Sequence, residues 1–362
     1  MEHLILVINP GSTSTKLAVY ENKKQKCETS LHHSNEDLAR FGEIVEQRSF
    51  REKLIVRWLE DKGIPLLRLT AVVARGGLLA PMPGGTYSIN TTMVSQLERG
   101  LYGKHASNLA GLIAYDLGRR LNIPAYIVDP VVVDEMEPIA RISGLPEIER
   151  KSIFHALNHK ASAKKAADLM GCGYDQLNLI VAHLGGGISI GAHHRGRVVD
   201  VNNALTGEGP FSPERSGSLP PADLINYYFD NGCTKGELIR KFAGNSGLVA
   251  QVGTNDCRLI EAKIAEGDSR SRLYLETMAY QIAKEIGRIS TVLCGKVDQI
   301  VLTGGLAYSA VLVGEIEKRV GFIAPLQVLP GENELEALAL GAWRVLAGEE
   351  EVRDYAGGGV NK

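Results

Sequence analysis

The chain has 362 residues, 44% hydrophobic and 23% charged, with 40 Lys and Arg against 42 Asp and Glu, a net charge of −2. That size predicts two domains and a soluble globular protein. The balanced charge excludes the basic footprint of a nucleic-acid or anionic-membrane binder, so neither partner is expected and any anion recognition is local.

No run of 18 or more apolar residues appears, so no membrane span is expected. The sequence begins straight in a strand at His3-Leu-Ile-Leu, with no signal-peptide pattern. The five cysteines (Cys27, Cys172, Cys233, Cys257 and Cys294) are scattered and lack C-x-x-C spacing. That fits reduced thiols in a cytoplasm better than disulfides or a zinc site.

The periodicity predicts strands near 4–9, 15–20, 70–74, 125–133, 178–183, 187–192, 196–201, 299–303 and 326–329. Helices are predicted near 35–63, 91–98, 104–121, 158–170, 221–228, 235–242, 258–264, 270–294, 308–319 and 333–348. The helix at 270–294 repeats apolar residues at helical spacing (Leu273, Leu275, Met278, Ile282, Ile286, Ile289) and reads as a buried central element. The tail from Gly348 to Lys362 reads as a short helical end and a flexible terminus. No Walker A pattern and no G-x-G-x-x-G after a strand occurs, which argues against a P-loop or a dinucleotide-binding unit.

The first informative stretch runs from Leu6 to Tyr20: an apolar run to Asn9, a turn at Pro10-Gly11, hydroxyls, and a second apolar run. It reads as a β-hairpin whose tip suits phosphate. Gly11 lets backbone approach a ligand closely. Alternation places Ser12, Ser14 and Lys16 on one face and Thr13 and Thr15 on the other. Asn9 stands at the strand end, where it could hold phosphate or a metal-bound water.

The design recurs at Leu179–Ala192, with Gly185, Gly186 and Gly187 at the turn. A third glycine turn, Ile300–Ser309, runs strand, Gly304-Gly305, then helix, a geometry suited to nucleotide. Two such hairpins in two α/β halves would set two glycine-rich tips face to face across a cleft.

This trio is the signature arrangement of the sugar kinase, heat-shock ATPase and actin superfamily. Within it the sequence resembles the acetate and butyrate kinase family over essentially its whole length. The resemblance is carried by Val7–Lys16, Phe154-His155-Ala-Leu-Asn-His159, His183-Leu-Gly-Gly-Gly187, Glu214-Arg-Ser-Gly217, Thr254-Asn-Asp-Cys-Arg258 and Asn333-Glu-Leu335. Departures point to the butyrate branch: Pro10 and Gly186 stand where acetate kinases carry Ala and Asn. The block Ala71–Gly77 lacks the expected early arginine and has Arg75 at a later position. Leu78–Tyr87 and His105–Asn108 also look like butyrate kinase.

The resemblance implies an α/β fold of two duplicated actin-like, ribonuclease H-like domains with a cleft between them. One domain would be 1–150 joined by 335–362, the other 151–334. It implies ATP/ADP and Mg²⁺, and a short-chain carboxylic acid phosphorylated to an acyl phosphate in a homodimer or higher homo-oligomer. It places Asp256 and Arg258 at the adenosine pocket, with Gly304 and Gly305 also on the nucleotide.

The chemistry agrees with these residue types. A short fatty acid is already ionised near neutrality, so the acceptor needs no general base. The obstacle is bringing one anion to another, which calls for cations, aligned donors and a metal. Arg215 is the first choice for clamping the carboxylate or the transferring phosphoryl, since guanidinium offers a fixed fork of donors. His155 would stabilise charge on the phosphoryl oxygens.

His183 would donate to phosphate or fix its loop. Asp129, at a strand terminus before Pro130, would order Mg²⁺ and its waters or hold an arginine. Glu334 is the second metal candidate beside Asn9, with Glu332 and Glu336 close by. Arg75 stands in for the substrate arginine, and Phe154 and His105 border the acid. Leu78, Leu79 and Met82 form either an apolar pocket for its tail or a loop packed on the core. The pair His193-His194 reads as solvated.

Overall fold

The computed structural model, which describes residues 2–358, builds its first sheet from six strands. They are β1 (Leu4–Pro10), β2 (Ser14–Glu21), β3 (Lys24–His32), β4 (Ala71–Ala74), β5 (Thr86–Ser88) and β6 (Ala125–Val128), in the order β3-β2-β1-β4-β6-β5. The second sheet holds β7 (Asn178–Leu184), β8 (Ile188–His194), β9 (Arg197–Val201), β10 (Gln299–Gly304) and β11 (Leu326–Pro330), in the order β11-β10-β7-β8-β9. In both, a three-stranded antiparallel meander leads into two further parallel strands. The order β3-β2-β1-β4-β6 is repeated as β9-β8-β7-β10-β11, and β5 is an addition at the first sheet's edge.

The central strands are buried along their whole length because helices cover both faces, which is why they read as continuous apolar runs. In the first sheet Leu6, Ile8, Val72 and Ala74 pack with Leu109, Leu112 and Ile113 of the helix Asn108–Leu121, and the helix Glu334–Leu346 also packs on β1, β4 and β6. In the second, Ile180, Ala182 and Ile190 pack with Met278, Ile282 and Ile286 of the helix Ser269–Val292. On the opposite face Leu179 and Val181 meet Ala163, Ala166 and Ala167 of the helix Ala156–Met170, whose alanines let it lie close.

The chain divides into two units, one running to Asp134 and resuming at Asn333, the other Glu135–Glu332. The division falls earlier than the expected residue 150 because the intervening segment is tied into the second unit. Glu135 accepts from Lys160 at 2.8 Å and from the Val198 amide at 2.8 Å, and Arg150 binds Asp200 at 2.9 Å.

Other differences have local causes. The helix expected at 35–63 is in pieces, Asn35–Leu38, a 3₁₀ turn Ile44–Gln47, and Arg48–Asp61, broken around Phe41-Gly42. The strand expected at 125–133 stops at Val128, because Asp129 takes φ +37°, a left-handed conformation outside strand geometry. β3 escapes the pattern because its sequence Lys-Gln-Lys-Cys-Glu-Thr-Ser-Leu-His is polar, as suits an edge strand. A short helix, Gly247–Val252, was also not foreseen.

The tail is not a helical end. Arg353 pairs with β5, donating its amide to Thr86 O at 2.9 Å and accepting from Ser88 N at 3.0 Å. Tyr355 is buried; its hydroxyl accepts from Ala80 N at 3.0 Å and donates to Gln96 at 2.5 Å. Residues 359–362 lie outside the described residues. Among the described residues no helix is long and apolar enough to cross a membrane, and all five cysteines are free.

Tyr355→Phe removes the acceptor of a buried amide, at a cost of about 1–3 kcal/mol. Hydrogen exchange at Ala80 should accelerate while amides of β7 and β8 keep their protection; equal acceleration in both sheets would contradict local docking of the tail.

Candidate active site

The first hairpin alternates as expected from Ser14 onward, but Thr13, expected on the face of Thr15, is exposed with Ser12 because the strand begins only at Ser14. Ser12 and Lys16 are exposed and Ser14 half-exposed, while Thr15 is fully buried. The turn is closed by Gly11 N donating to Ser14 O at 2.8 Å. Beneath it lies a residue the sequence reading passed over, Arg51, only 1% exposed. Its guanidinium donates to the carbonyls of Gly11 (2.8 Å), Ser14 (3.1 Å) and Ser12 (2.9 Å), to Thr15 Oγ1 (3.2 Å) and to Gln47. Among the described residues no carboxylate pairs with it, and burial lowers its pKa to about 10, so it stays charged at neutral pH. A buried guanidinium held only by neutral oxygens leaves its positive charge uncompensated under the tip. The signal available in the sequence was a lone arginine among the apolar positions of the Arg48–Asp61 helix. Thr15 also meets His33 Nε2 at 2.8 Å, and burial with the nearby Arg51 holds His33 down at about 4.

The strand register then gathers three candidates at one edge. Ile8 pairs with Ala74 and Ala74 with Ile127, so Asn9, Arg75 and Val128 follow at one level and Asp129 one residue further. Glu334, in the first turn of its helix, ties two of them together: Oε2 accepts from Asn9 Nδ2 at 2.7 Å and Oε1 pairs with Arg75 at 2.8 Å. Asp129 is buried and accepts from Gly85 N at 2.7 Å.

Other candidates in this unit do not join them. Leu79 and Met82, at 1% and 3% exposure, are part of the hydrophobic core, which corrects the pocket reading for both; Leu78 is half-buried, its amide held by Asn108. His105 contacts Ser107 at 2.9 Å and borders a cavity of about 210 Å³ lined by Ile44, Leu97, Leu109 and Leu112, but not by Leu78, Leu79 or Arg75.

In the second unit the tip is closed by Gly185 N donating to Gly187 O at 3.2 Å and braced by Ser212 Oγ donating to Gly186 O at 2.5 Å. Arg215 lies across it. Its Nη1 donates to Ala204 O, and a side-chain carbon at Gly187 would collide with that same nitrogen, so glycine is needed there. Burial lowers the Arg215 pKa, partly offset by Glu214, and its Nε is buried without a partner.

Glu214 also accepts from Asn255 at 2.7 Å, which brings the 254–258 segment to the same corner. There Asp256 caps the helix Cys257–Ala265 and pairs with the exposed Arg258 at 2.8 Å. Ser309, after the Gly304-Gly305 turn, donates to Glu261 of that helix. Gly304 has φ +86° and packs against the Leu184 carbonyl with no room for a side chain.

Beside the tip stands a cluster of histidines. His155 precedes the helix Ala156–Met170 and stacks on His183 with ring centroids 3.8 Å apart, and Phe154 is buried edge-on to His159. His155 Nδ1 lies 2.9 Å from Ser189 Oγ, which lies 2.8 Å from His159 Nε2. His159 Nδ1 is 3.2 Å from His193 Nε2, and His193 Nδ1 is 2.7 Å from the Tyr174 hydroxyl.

His193 is fully buried, which corrects the solvated reading; His194 alone is exposed, contacting Asn178. Adjacent strand residues face opposite ways, and that alternation was the signal that could have separated the two. His183 Nδ1 meets the Asn158 carbonyl oxygen at 2.7 Å, so Nδ1 carries its proton and Nε2 lies beneath Gly185. In that tautomer it braces the loop and has no proton to give a phosphate. Burial holds His159, His183 and His193 well below the ordinary histidine pKa.

Residues 147–328, half of the chain, match the Acetokinase family. The chain belongs to that family. Solved structures similar to this acetokinase chain include the acetate kinase of Porphyromonas gingivalis, at 21% identity over 92% of this chain and 98% of that one, TM-score 0.75. A propionate kinase from Francisella tularensis subsp. tularensis SCHU S4 is similar at 20% identity over 93% and 98%, TM-score 0.71. The acetate kinase of Entamoeba histolytica follows at 17% over 96% and 99%, TM-score 0.72. These likenesses are of fold, an actin-like ATPase fold built twice in one acetokinase chain.

Two outcomes follow from the buried groups. The histidines are neutral when folded and take a proton near pH 6.5 when unfolded, so the unfolded chain binds more protons below that pH. Thermal stability should be full above about pH 6.5 and fall as pH drops below it; a flat profile from pH 7.5 to 5 would contradict neutral burial. Arg51→Met strips the Gly11 and Ser12 carbonyls of a charged donor, on the order of 2 kcal/mol. Arg51→Lys should restore little, because an ammonium cannot span all three carbonyls. Equal melting temperatures for wild type and both variants would refute the bracing role.

Proposed function

We propose that the chain is an ATP-dependent carboxylate kinase that phosphorylates butyrate or a branched short-chain acid by direct in-line transfer, reversibly with ADP. The observation that carries the reading is Arg215 laid across the Gly185–Gly187 tip in a chain of the acetokinase family. Lys16 with the Ser12 and Ser14 hydroxyls, and the amides of Gly186 and Gly187, are the proposed phosphate ligands, on tips whose turns the Gly11 and Gly185 amides close and whose glycines let the nucleotide approach. Asp256, Arg258, Gly304 and Gly305 are proposed for the adenosine. Arg215 clamps the transferring phosphoryl, and His155 donates to its oxygens, where preorganised donors act most strongly.

Arg75 takes the acid's carboxylate, held in place by Glu334 on its other side. Glu334 thereby serves as counter-ion and orienter, its two oxygens engaged by Arg75 and Asn9. Among the described residues no group of three or more His, Cys, Asp or Glu could hold a metal alone. That suits Mg²⁺ carried by nucleotide phosphates and water, with one or two protein oxygens. Asn9 Oδ1, on an amide whose nitrogen already binds Glu334, and the Asp129 carboxylate fit as those donors; the ion would neutralise charge on the phosphates.

Butyrate over acetate is supported by Pro10, Gly186 and the Ala71–Gly77 block; acetate or propionate is the second reading, supported by the named activities of the similar structures. We also propose a homodimer or larger homo-oligomer in a reducing cytoplasm, supported by exposed Ile225, Phe229 and Ile239 and by the free thiols.

Hydroxylamine trapping of acyl phosphate, with ATP and acetate, propionate, butyrate or isobutyrate, tests the reading. Butyrate or isobutyrate should give the highest kcat/KM. Arg215→Ala should lower kcat by about 10²–10³-fold without changing the melting temperature, and Arg215→Lys should recover little. ATP hydrolysis without acyl phosphate from any acid would instead indicate an actin-like ATPase of another kind.

A further inference from the structure

Three rings of the histidine cluster are links of a continuous hydrogen-bonded chain: Tyr174 hydroxyl, His193, His159, Ser189 hydroxyl, His155. The arrangement follows from two repeats. His155 caps the helix and His159 lies one turn further on, its amide donating to the His155 carbonyl at 2.9 Å. Ser189 and His193 share one face of β8, and His183, directly across from Ser189 on β7, shares it too. Ser189, His159 and His193 have no exposure to solvent, so water does not interrupt these links.

A neutral imidazole carries one proton for two ring nitrogens. Each ring that donates through one nitrogen must accept through the other, and the buried Ser189 hydroxyl, whose partners are these two rings, must give its single proton to one of them and accept from the other, so the chain has only two self-consistent polarities. In one, the Tyr174 O–H donates to His193 Nδ1, His193 Nε2–H to His159 Nδ1, and His159 Nε2–H to Ser189 Oγ. Ser189 O–H then donates to His155 Nδ1, and the His155 proton must sit on Nε2. In the other polarity every proton moves across and His155 Nε2 is a bare lone pair.

The first polarity is favoured at both ends. A phenolic O–H, with a pKa of about 10, is a good donor to an imidazole nitrogen. At the far end, a lone pair directed at phosphoryl oxygens would repel them, whereas an N–H would bind them.

We propose that Tyr174, His193, His159 and Ser189 are positioning residues that fix His155 as its Nε2–H tautomer, ready to donate to an anionic oxygen. The proposal rests on the phosphotransfer reading for what that oxygen is, but not for the tautomer itself. Burial, which keeps His159 and His193 neutral, is what makes the one-proton count binding on each ring. His183 stands apart from the chain: its Asn158 contact gives it the opposite tautomer, Nδ1–H, although it stacks on His155. The sequence Phe154-His155-Ala-Leu-Asn-His159 thus supplies one ring at the tip, the relay ring that orients it, and Asn158, which orients the ring stacked upon it.

The test is a long-range ¹H–¹⁵N correlation spectrum of the full chain labelled with ¹⁵N-histidine, near pH 7.5 and without ligand, assigned with single His→Gln variants. Expected are pyrrole-type Nε2 and pyridine-type Nδ1 for His155, His159 and His193, and the reverse for His183. Tyr174→Phe, at a half-exposed position remote from the tip, removes the donor that sets the polarity. His155 should then become a tautomeric mixture, with kcat down several-fold and nucleotide KM unchanged.

Ser189→Ala should do the same more strongly, with kcat about tenfold lower; should it fail to fold, Tyr174→Phe alone decides. An Nδ1–H or doubly protonated His155 in the wild type overturns the proposal, as does an unchanged His155 tautomer in Tyr174→Phe. If the tautomers are as expected but no acid yields acyl phosphate, the phosphotransfer reading fails while the chain polarity stands.

Discussion

Each sheet turns a hairpin at the end of a strand that is buried on both faces, and the turn's inward-facing oxygens must be paired there. That constraint organises both tips. In the first, one guanidinium reaches from the Arg48–Asp61 helix and collects the carbonyls of Gly11, Ser12 and Ser14. In the second, Ser212 takes the Gly186 carbonyl and Arg215 crosses the turn to Ala204. With these oxygens engaged, and the Gly11 and Gly185 amides closing their turns, Ser12, Lys16 and Gly186 are among the parts of the tips left facing outward.

The two tips solve the electrostatic problem differently. Arg51 brings a full charge into the interior with no carboxylate among the described residues to cancel it, and a charge in low dielectric acts over a longer range than one in water. The second unit keeps its buried rings neutral and leaves its charge to Arg215, half-exposed at the surface of the loop. An imidazole cluster is suited to the neutral task because each ring can donate and accept at once, whereas a buried lysine or arginine cannot accept. A deeply buried ion pair, Lys160 with Glu135, sits one residue along the helix from His159 and secures the segment after Asp134.

The repeated strand order shows one topology serving two sets of side chains. Asn9 and Lys16 flank the first turn where His183 and Ser189 flank the second. Parallel strands after each meander bring further groups to the same edge: Arg75 and Asp129 beyond β4 and β6, and Gly304 at the end of β10 with Gly331 beyond β11, bridged to each other. The side chains of the two units differ at strand ends, which lie outside the packing that constrains the strand interiors.

The sequence by itself determined the α/β class, both hairpins, the glycine turn at Gly304 and the long central helix, because apolar period and glycine placement are local properties. It also marked Asn9, Lys16, His155, Arg215 and Glu334 as chemically notable. Tertiary structure alone decided what those groups touch. The polar edge strand β3 exists only because β2 offers it partners, and the C-terminal tail is extended because Tyr355 finds Ala80 and Gln96 more than 250 residues back along the chain. Arg51 looks like any helix arginine until the hairpin closes over it. His193 looks like half of a solvated pair until a helix covers its face of the strand. Burial and hydrogen-bond partners arise from contacts distant in sequence, and no local pattern encodes which oxygen a buried donor will meet.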